Sequence, residues 1–341
     1  MSAWPIYRGT DDPHDGIDEL PDPPNWRRFD GGPVLDHPPT TDDETAGFAR
    51  RLGTGPAQRT PTAEEERMVN AALFLRRPLL ITGRPGTGKS TLAYRVAREL
   101  KLGQVLRWPI TSRTRLRDGL YHYDPIGRLR EENLRQFRRN DGADEPDADL
   151  DTDIGRHIRL GPLGTALLPY ARPRMLLIDE IDKSDIDLPN DLLNVFEEGE
   201  FLIDELARLP LESEQVFVRT ADGSAPVPVR RGRVRCRAFP FVVLTSNGER
   251  DFPTAFLRRC LRLDLAEPDT DALKDIIAAH LGPAAAETAA ERIATFLHKQ
   301  ANGDAISTDQ LLNAVYIATS ERDYSSLEDV VEALLRPLTT S

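Results

Sequence analysis

The amino-acid sequence predicts a doubly wound α/β domain built on a parallel sheet, followed by a small all-helical domain. Three observations predict this fold. Short apolar runs of strand length recur at residues 78–82, 175–178 and 239–244, as expected for parallel strands that are buried on both faces. A helical pattern at residues 90–101 follows the first run, and this alternation favours a parallel sheet. Beyond about residue 267 the patterns are helical only.

The N-terminal segment differs from the rest of the chain in composition. Residues 1–60 contain nine prolines, many acidic side chains and little periodic apolar pattern, so we expect them to be largely extended or disordered. Trp4 and Trp26 leave open a second possibility, in which the segment docks as a strap on a folded surface. A helix is predicted to begin after Thr62, an N-cap candidate that forms a capping-box pattern with Glu65.

The α/β domain is predicted to span residues 61–266 and to contain two insertions, near 113–160 and 205–238. The first insertion combines a basic amphipathic helical pattern at 126–140 with a run of acidic residues after it, and such a run is typical of a solvated loop. The second insertion has the pattern of a hairpin. Residues 267–341 then form the predicted helical domain.

A glycine-rich loop lies between the first predicted strand and the helix that follows it. Residues 83–90 have the sequence GRPGTGKS, which matches the phosphate-binding pattern G-x-x-x-x-G-K-[ST]. The glycines allow backbone N–H groups to point at phosphate oxygens, and the helix adds its positive N-terminus. Lys89 can reach the β- and γ-phosphates, and the Ser90 hydroxyl can bind Mg²⁺. The residues predicted to bind the nucleotide are Gly83, Pro85, Gly86, Thr87, Gly88, Lys89, Ser90 and Thr91.

Two carboxylates follow another buried strand. Residues 175–178 have the sequence MLLI and precede Asp179 and Glu180, so the strand should bring both side chains to the sheet edge beside the glycine-rich loop. Asp179 is expected to hold Mg²⁺ through its water shell, together with Ser90. Glu180 is the candidate that polarises the attacking water. The sequence therefore predicts an ATPase, with ATP and Mg²⁺ as its cofactors.

Three stretches of the sequence resemble the AAA+ ATPases, and in particular their MoxR-type branch. They are residues 69–93 (VNAALFLRRPLLITGRPGTGKSTLA), 175–201 (MLLIDEIDKSDIDLPNDLLNVFEEGEF) and 245–265 (TSNGERDFPTAFLRRCLRLDL). The resemblance covers about residues 62–335. It implies a P-loop AAA+ core followed by a helical lid domain. The two insertions match the helix-2 insertion of this clade and the hairpin before its sensor 1 residue.

The resemblance also implies roles for residues outside the phosphate loop. Asn247 matches the sensor 1 position, where it would orient the attacking water or contact the γ-phosphate. Arg259 falls on the arginine-finger position, with Arg258 adjacent, and would reach the nucleotide of a neighbouring subunit. Activity would then require a homo-oligomeric ring, which by this resemblance is a hexamer. Where the family often has a sensor 2 arginine, the chain has Asp309 and Gln310, so we assign no sensor 2 residue.

The function that the resemblance implies is that of a chaperone-like motor that remodels a protein partner, often one with a von Willebrand A domain. A nucleotide-gated assembly switch in a bacterial conflict or defence system is the alternative. A nucleic-acid-directed motor is a weaker alternative, because the net charge of −12 argues against a protein that wraps nucleic acid.

Four arginines in the predicted hairpin alternate with smaller residues. They are Arg231, Arg233, Arg235 and Arg237. On a β-strand all four would share one face. Such a face could be a basic patch toward the ring pore or toward the acidic surface of a partner, or it could be an ordinary solvated strand face. The pattern alone slightly favours the solvated face.

No part of the sequence predicts export or membrane insertion. The N-terminus lacks a basic region followed by an apolar run. No stretch approaches the roughly eighteen consecutive apolar residues of a membrane-spanning helix. Cys236 and Cys260 are the only cysteines and suggest neither a disulfide framework nor a zinc site. We therefore expect a cytoplasmic protein.

Overall fold

The apolar runs of the sequence form strands of a five-stranded parallel sheet in the computed structural model. The strands are β1 (Leu79–Thr82), β2 (Leu106–Pro109), β5 (Met175–Asp179), β10 (Phe241–Ser246) and β11 (Leu261–Asp264). They lie in the order β11–β1–β10–β5–β2, and every neighbouring pair is parallel. The doubly wound α/β fold predicted from the sequence is therefore confirmed.

The structure describes most of the chain. The described residues are 5–10, 12–38, 42–54, 61–140, 154–210, 215–302, 304, 306–319, 330 and 333–334. The acidic run near 141–153 and most of the predicted helical domain beyond residue 319 lie outside them. None of the described helices is long and apolar enough to cross a membrane.

Helices cover both faces of the sheet, because its central strands are apolar on both faces. The flanking helices are α2 (Ala63–Leu75), α3 (Lys89–Glu99), α6 (Pro162–Ala166) and α7 (Asp187–Glu198). Val69 of α2 and Val96 of α3 are buried against one face. Leu163 of α6 and Leu192 of α7 are buried against the other. Thr62 caps α2 as predicted, since its Oγ1 accepts a hydrogen bond from the backbone N of Glu65.

The first insertion adds a small two-stranded unit and the predicted basic helix. Its elements are α4 (Leu116–Leu120), β3 (Tyr121–Tyr123), α5 (Pro125–Asn140) and β4 (Ile158–Leu160). β3 and β4 pair antiparallel. The amphipathic pattern at 126–140 is the helix α5, and its side chains Ile126 and Leu129 are exposed.

The second insertion forms more than the predicted hairpin. Its elements are β6 (Glu200–Leu202), α8 (Asp204–Ala207), β7 (Gln215–Val218), β8 (Val227–Arg230) and β9 (Arg233–Arg235). The strands make a four-stranded antiparallel sheet in the order β6–β9–β8–β7.

Only two of the four alternating arginines, Arg233 and Arg235, lie on the strand β9. Arg231 lies in the turn before β9 with a φ angle of 48°, and Arg237 follows the strand. Arg233 and Arg235 both form ion pairs with Glu200 of β6. Arg235 also pairs with Asp30 of the N-terminal segment. The two arginines on the strand are therefore neutralised within the molecule.

The lid domain consists of helices that bury their own small core, as the sequence predicted. The helices are α10 (Thr270–Leu281), α11 (Pro283–Thr288), α12 (Ala290–Ala301) and α13 (Thr308–Thr319). Leu273, Ile293, Phe296 and Leu311 are each fully buried between them. A short helix, α9 (Thr254–Leu257), precedes the edge strand β11 and the lid.

The described part of the N-terminal segment docks on the α/β core. Ile6, Tyr7 and Ile17 are buried in the same core as α2 and α3. Oδ1 of Asn70 accepts hydrogen bonds from the backbone N of Ile6 (2.8 Å) and Tyr7 (2.9 Å), and its Nδ2 donates to the Tyr7 carbonyl (2.8 Å). Glu99 accepts from the next two backbone N–H groups. The described part of the segment thus forms a strap, one of the two possibilities that the sequence left open. Ile6, Tyr7 and Ile17 anchor it, whereas Trp26 is 77% exposed and Trp4 lies outside the described residues.

The described residues of the segment form short 3₁₀ helices and one α-helix. The 3₁₀ helices of the described chain are Gly16–Glu19, Asn25–Arg27, Ile154–His157 and Ile181–Lys183. The segment ends in an α-helix, α1 (Asp42–Leu52), which the sequence pattern did not predict.

We expect Asn70→Ala to release the start of the strap. The change leaves buried backbone N–H and C=O groups of Ile6 and Tyr7 without their partner, and such a loss costs about 1–3 kcal/mol. The free energy of unfolding in urea should fall by that amount, and trypsin should cut more rapidly after Arg8. Asn190→Ala on the exposed side of α7 is the matched control. Equal stability and equal cleavage in Asn70→Ala and Asn190→Ala would contradict this role of Asn70.

Candidate nucleotide-binding site

The glycine-rich loop connects β1 to α3 at the carboxyl edge of the sheet. Gly86 and Gly88 have φ angles of 81° and 87°, in the left-handed region that is unfavourable for residues with a Cβ. At Gly86 a Cβ would also lie 2.8 Å from the backbone N of Thr308, so this position requires glycine. Gly88 is the N-cap of α3, which places the positive end of that helix at the loop.

The side chain of Lys89 lies across this loop. Its Nζ donates hydrogen bonds to the carbonyls of Gly83 (2.7 Å) and Arg84 (2.8 Å). Burial lowers the pKa of Lys89, and the carboxylates of Asp182 and Asp179 partly oppose that shift. The backbone of the loop therefore holds the ammonium group where the sequence predicts contact with phosphates.

The carboxylate of Asp179 accepts hydrogen bonds on both oxygens. Oδ1 accepts from Ser90 Oγ (2.7 Å) and Thr245 Oγ1 (2.8 Å). Oδ2 accepts from Nη2 (2.6 Å) and Nε (3.0 Å) of Arg107. Burial raises the pKa of Asp179, but these hydrogen bonds outweigh burial and leave the pKa below its usual value, so the group is ionised at neutral pH. Ser90 and Asp179 were predicted to lie together; Thr245 and Arg107 were not predicted.

Glu180 has a backbone conformation that is uncommon for a residue with a side chain. Its φ and ψ angles are 62° and 51°, and such outliers are concentrated at functional sites. The backbone N of Glu180 donates to Thr245 Oγ1 (2.9 Å), and Oε2 accepts from Lys183 Nζ (2.9 Å). The side chain is 43% exposed. Glu180 therefore lines the same cleft as Lys89 and remains accessible to solvent.

Asn247 follows β10 directly and lines the same cleft. Its backbone N donates to Oδ2 of Asp182 (2.8 Å), which also accepts from the backbone N of Glu249 (3.2 Å). Asp182 is buried, so its carboxylate joins the chain after β5 to the chain after β10. The sequence identified Asn247 as a candidate but gave no reason to select Asp182.

The cleft has a volume of about 490 Å³, within the range of roughly 300–1,000 Å³ that is usual for small-ligand sites. One wall is the glycine-rich loop with the start of α3. The lid contributes Ile276, Ala279, His280, Thr308, Asp309 and Leu312. Helix α1 contributes Arg50, Arg51 and Leu52. Apolar and cationic side chains thus line one space, a combination that suits the base and the phosphates of a nucleotide.

Contacts to both neighbours hold α1 in this position. Phe48 packs edge-on against Tyr94 of α3, with ring centroids 6.3 Å apart, and the Arg51 guanidinium lies 5.1 Å from the same ring. The backbone N of Thr54 donates to the carbonyl of Ala279 in the lid (3.0 Å). The end of α1 therefore bridges the core and the lid. The sequence analysis did not predict α1, because its apolar content is low.

The lid meets the glycine-rich loop through a threonine. Thr308 Oγ1 donates to the carbonyl of Gly86 (2.8 Å). Asp309 lines the cleft, and the side chain of Gln310 accepts from the backbone N of Ser307 (2.8 Å), so it caps its own helix. The lid reaches the loop through the hydroxyl of Thr308.

Arg258 and Arg259 are not part of this cleft. Both follow α9 at the surface, and the Nε of Arg259 donates to Oε1 of Glu197 on α7 (2.9 Å). The side chain of Arg259 is 42% exposed. The structure therefore brings together the predicted residues of the loop, Asp179, Glu180 and Asn247, and it places the two arginines elsewhere.

A divalent cation in the cleft would need oxygens from its nucleotide. Among the described residues, no group of three or more His, Cys, Asp or Glu side chains could hold a metal ion. Ser90 and Asp179 offer one hydroxyl and one carboxylate, an oxygen donor set that suits Mg²⁺, which usually keeps waters and binds phosphates in addition to few protein ligands.

Comparison with known proteins agrees with the fold and with this cleft. The family model of the AAA domain (dynein-related subfamily) matches residues 78–260, which is more than half of the chain. The match includes the glycine-rich loop, Asp179, Glu180 and Asn247. A comparison with curated proteins finds no match. The chain therefore belongs to the AAA family, in its dynein-related subfamily, and the cleft lies in an AAA+ ATPase domain.

Proposed function

We propose that the protein hydrolyses ATP as a MoxR-like AAA+ ATPase and acts as an oligomeric, chaperone-like motor on a protein partner. The observation that best supports hydrolysis is the 2.7 Å hydrogen bond between Ser90 Oγ and Asp179 Oδ1. It joins the glycine-rich loop to the end of β5. ATPases with this loop use such a hydroxyl and carboxylate to hold the Mg²⁺ of the nucleotide.

The residues of the site fit ATP with Mg²⁺ as cofactor. Ser90 and Asp179 would hold the cation, which when bound supplies positive charge that neutralises phosphate oxygens. Lys89 would exchange its two carbonyl partners for oxygens of the β- and γ-phosphates. The backbone N–H groups from Gly86 to Thr91 would bind the remaining phosphate oxygens.

Glu180 and Asn247 are the candidates for activating water. Glu180 would act as general base on the attacking water, and to do so it would leave its ion pair with Lys183. That pair is exposed, and pairs of this kind contribute only about 0–1 kcal/mol, so the cost of leaving it is small. Asn247, at the end of the strand between β1 and β5, would orient the water or contact the γ-phosphate.

The surface arginines support a ring. Arg258 and Arg259 lie outside the cleft of their own subunit, as expected for residues that act on the nucleotide of a neighbour. We therefore propose a homo-oligomeric ring, a hexamer on the MoxR resemblance, that works in the cytoplasm.

Charge favours a protein partner over nucleic acid. The net charge is −12, and the arginines on β9 are already paired with Glu200. A partner with a von Willebrand A domain is the first to test, because the MoxR resemblance implies it.

We expect Glu180→Gln to bind ATP but to hydrolyse it at least about 100-fold more slowly, because loss of a general base costs 10²–10⁴-fold. Phosphate release and equilibrium binding of a fluorescent ATP analogue measure the two effects separately. Lys89→Ala is the matched control and should lose tight binding instead. Wild-type turnover in Glu180→Gln would exclude Glu180 as the base, and wild-type affinity in Lys89→Ala would contradict the phosphate site.

The same Glu180→Gln protein can capture the partner, since it should remain in its ATP-bound state. Turnover stimulated by a captured protein would support the motor. Slow turnover combined with ATP-dependent assembly would support the switch in a conflict or defence system instead. Stimulation by DNA or RNA with a steep salt dependence would support a nucleic-acid motor.

We expect mixtures of Arg259→Ala and Lys89→Ala subunits to recover activity that neither variant has alone. Random mixing in equal amounts places an intact phosphate loop beside an intact Arg259 at about one quarter of the interfaces. Phosphate release from mixtures, with co-assembly verified by native mass spectrometry, measures this recovery. Arg262→Ala, on the exposed side of β11, is the control and should be active alone. Inactive mixed rings would contradict a role of Arg259 at the neighbour's nucleotide.

A further inference from the structure

The ion pair between Arg107 and Asp179 lies inside the candidate nucleotide site. Arg107 is on β2, next to β5 in the sheet, and its Nη2 and Nε both donate to Oδ2 of Asp179, at 2.6 and 3.0 Å. Oδ1 is already occupied by the hydroxyls of Ser90 and Thr245. Protein donors therefore bind both oxygens of the carboxylate that is expected to serve Mg²⁺.

The two ends of this pair differ in environment. The side chain of Asp179 is 9% exposed and that of Arg107 is 42% exposed. Asp179 sits at the end of a buried strand and cannot move far, whereas Arg107 has a long side chain that lines the cleft. A ligand that enters the site can therefore break this ion pair by moving the side chain of Arg107, while Asp179 stays in place.

A guanidinium group and a hydrated Mg²⁺ compete for the same oxygen. Both are cations, so they repel each other at short distance. Oδ2 already accepts two hydrogen bonds from Arg107, so it cannot also accept one from a water of the cation while both remain. The hydroxyl bond from Ser90 is different, since a hydroxyl can donate to Asp179 while its own oxygen binds a metal. Arg107 is thus the donor that must leave Asp179.

We propose that Arg107 is a positioning residue that neutralises Asp179 in the nucleotide-free protein and is displaced from Oδ2 when Mg²⁺ and nucleotide bind. This inference rests on the proposed ATP site. Once displaced, the guanidinium can be solvated, because the side chain of Arg107 is 42% exposed. The counter-ion of Asp179 would therefore change from Arg107 to Mg²⁺ when the nucleotide binds.

Thermal unfolding of the full chain tests the proposal without measuring turnover. In EDTA without nucleotide, Arg107→Gln should unfold about 2–4 °C below wild type, because Asp179 has lost its counter-ion. With saturating Mg²⁺ and the non-hydrolysable analogue AMP-PNP this deficit should disappear. Arg107→Lys keeps the charge and should show a smaller deficit in EDTA. Arg262→Gln on the edge strand is the control and should match wild type in both conditions.

Equilibrium binding gives a second measurement. At fixed AMP-PNP, the Mg²⁺ concentration at half-maximal binding should be about three- to tenfold lower in Arg107→Gln, since the cation no longer displaces a guanidinium. An equal thermal deficit with and without Mg²⁺ and AMP-PNP would overturn the proposal and identify an ordinary structural ion pair. A higher Mg²⁺ requirement in Arg107→Gln would also overturn it, because Arg107 would then assist the cation.

If the proposed ATP site itself is wrong, the binding measurements give a result that differs from a failure of the Arg107 proposal alone. In that case wild type and Lys89→Ala would bind AMP-PNP equally weakly, with or without Mg²⁺, and both proposals would be overturned. Normal Mg²⁺-dependent binding by wild type, with no change in Arg107→Gln, overturns only the proposal for Arg107.

Discussion

The buried charge of Asp179 is the constraint on which the rest of the site depends. A carboxylate at the end of an apolar strand must be hydrogen-bonded or paired, because burial disfavours its ionised form. Its partners come from three places: Ser90 at the start of α3, Thr245 on β10 and Arg107 on β2. Thr245 also accepts from the backbone N of Glu180. The need to satisfy one carboxylate therefore brings together the phosphate loop, two neighbouring strands and the candidate general base.

The lid, α1 and the strap all contact the phosphate loop or the helix α3 that follows it. The lid contacts the loop where Thr308 donates to Gly86, and α1 packs on α3 through Tyr94. The strap contacts α3 as well, since Arg95 donates to the carbonyl of Gly9 (3.3 Å). A nucleotide that shifts the loop or α3 would therefore act on the lid, α1 and the strap together. In the proposed motor or switch, these contacts would link the bound nucleotide to the outer surfaces of the protein.

Sequence patterns predicted the structure correctly where a single residue type or the period of the apolar residues determines it. The three central strands β1, β10 and β5, the phosphate loop and the lid helices follow from apolar runs, glycines and helical periodicity. The edge strand β11 was missed, because Arg262 and Asp264 face solvent and the strand lacks a continuous apolar run. Arg107 could not be found, because its contact with Asp179 exists only once β2 lies beside β5. Such pairings depend on the order of strands in the sheet, which no local pattern contains.

The position of Arg259 is compatible with its proposed transfer to a neighbouring subunit. Glu197 holds Arg259 at 2.9 Å and lies 3.8 Å from Arg27, a buried strap residue that stacks on Phe239. Glu197 and Arg259 are both more than 40% exposed, and an exposed pair contributes only about 0–1 kcal/mol. An arginine finger raises kcat by about 10³–10⁵-fold, equivalent to several kcal/mol. Release from Glu197 therefore costs little compared with the gain, while Arg27 remains as a partner for Glu197 after Arg259 has left.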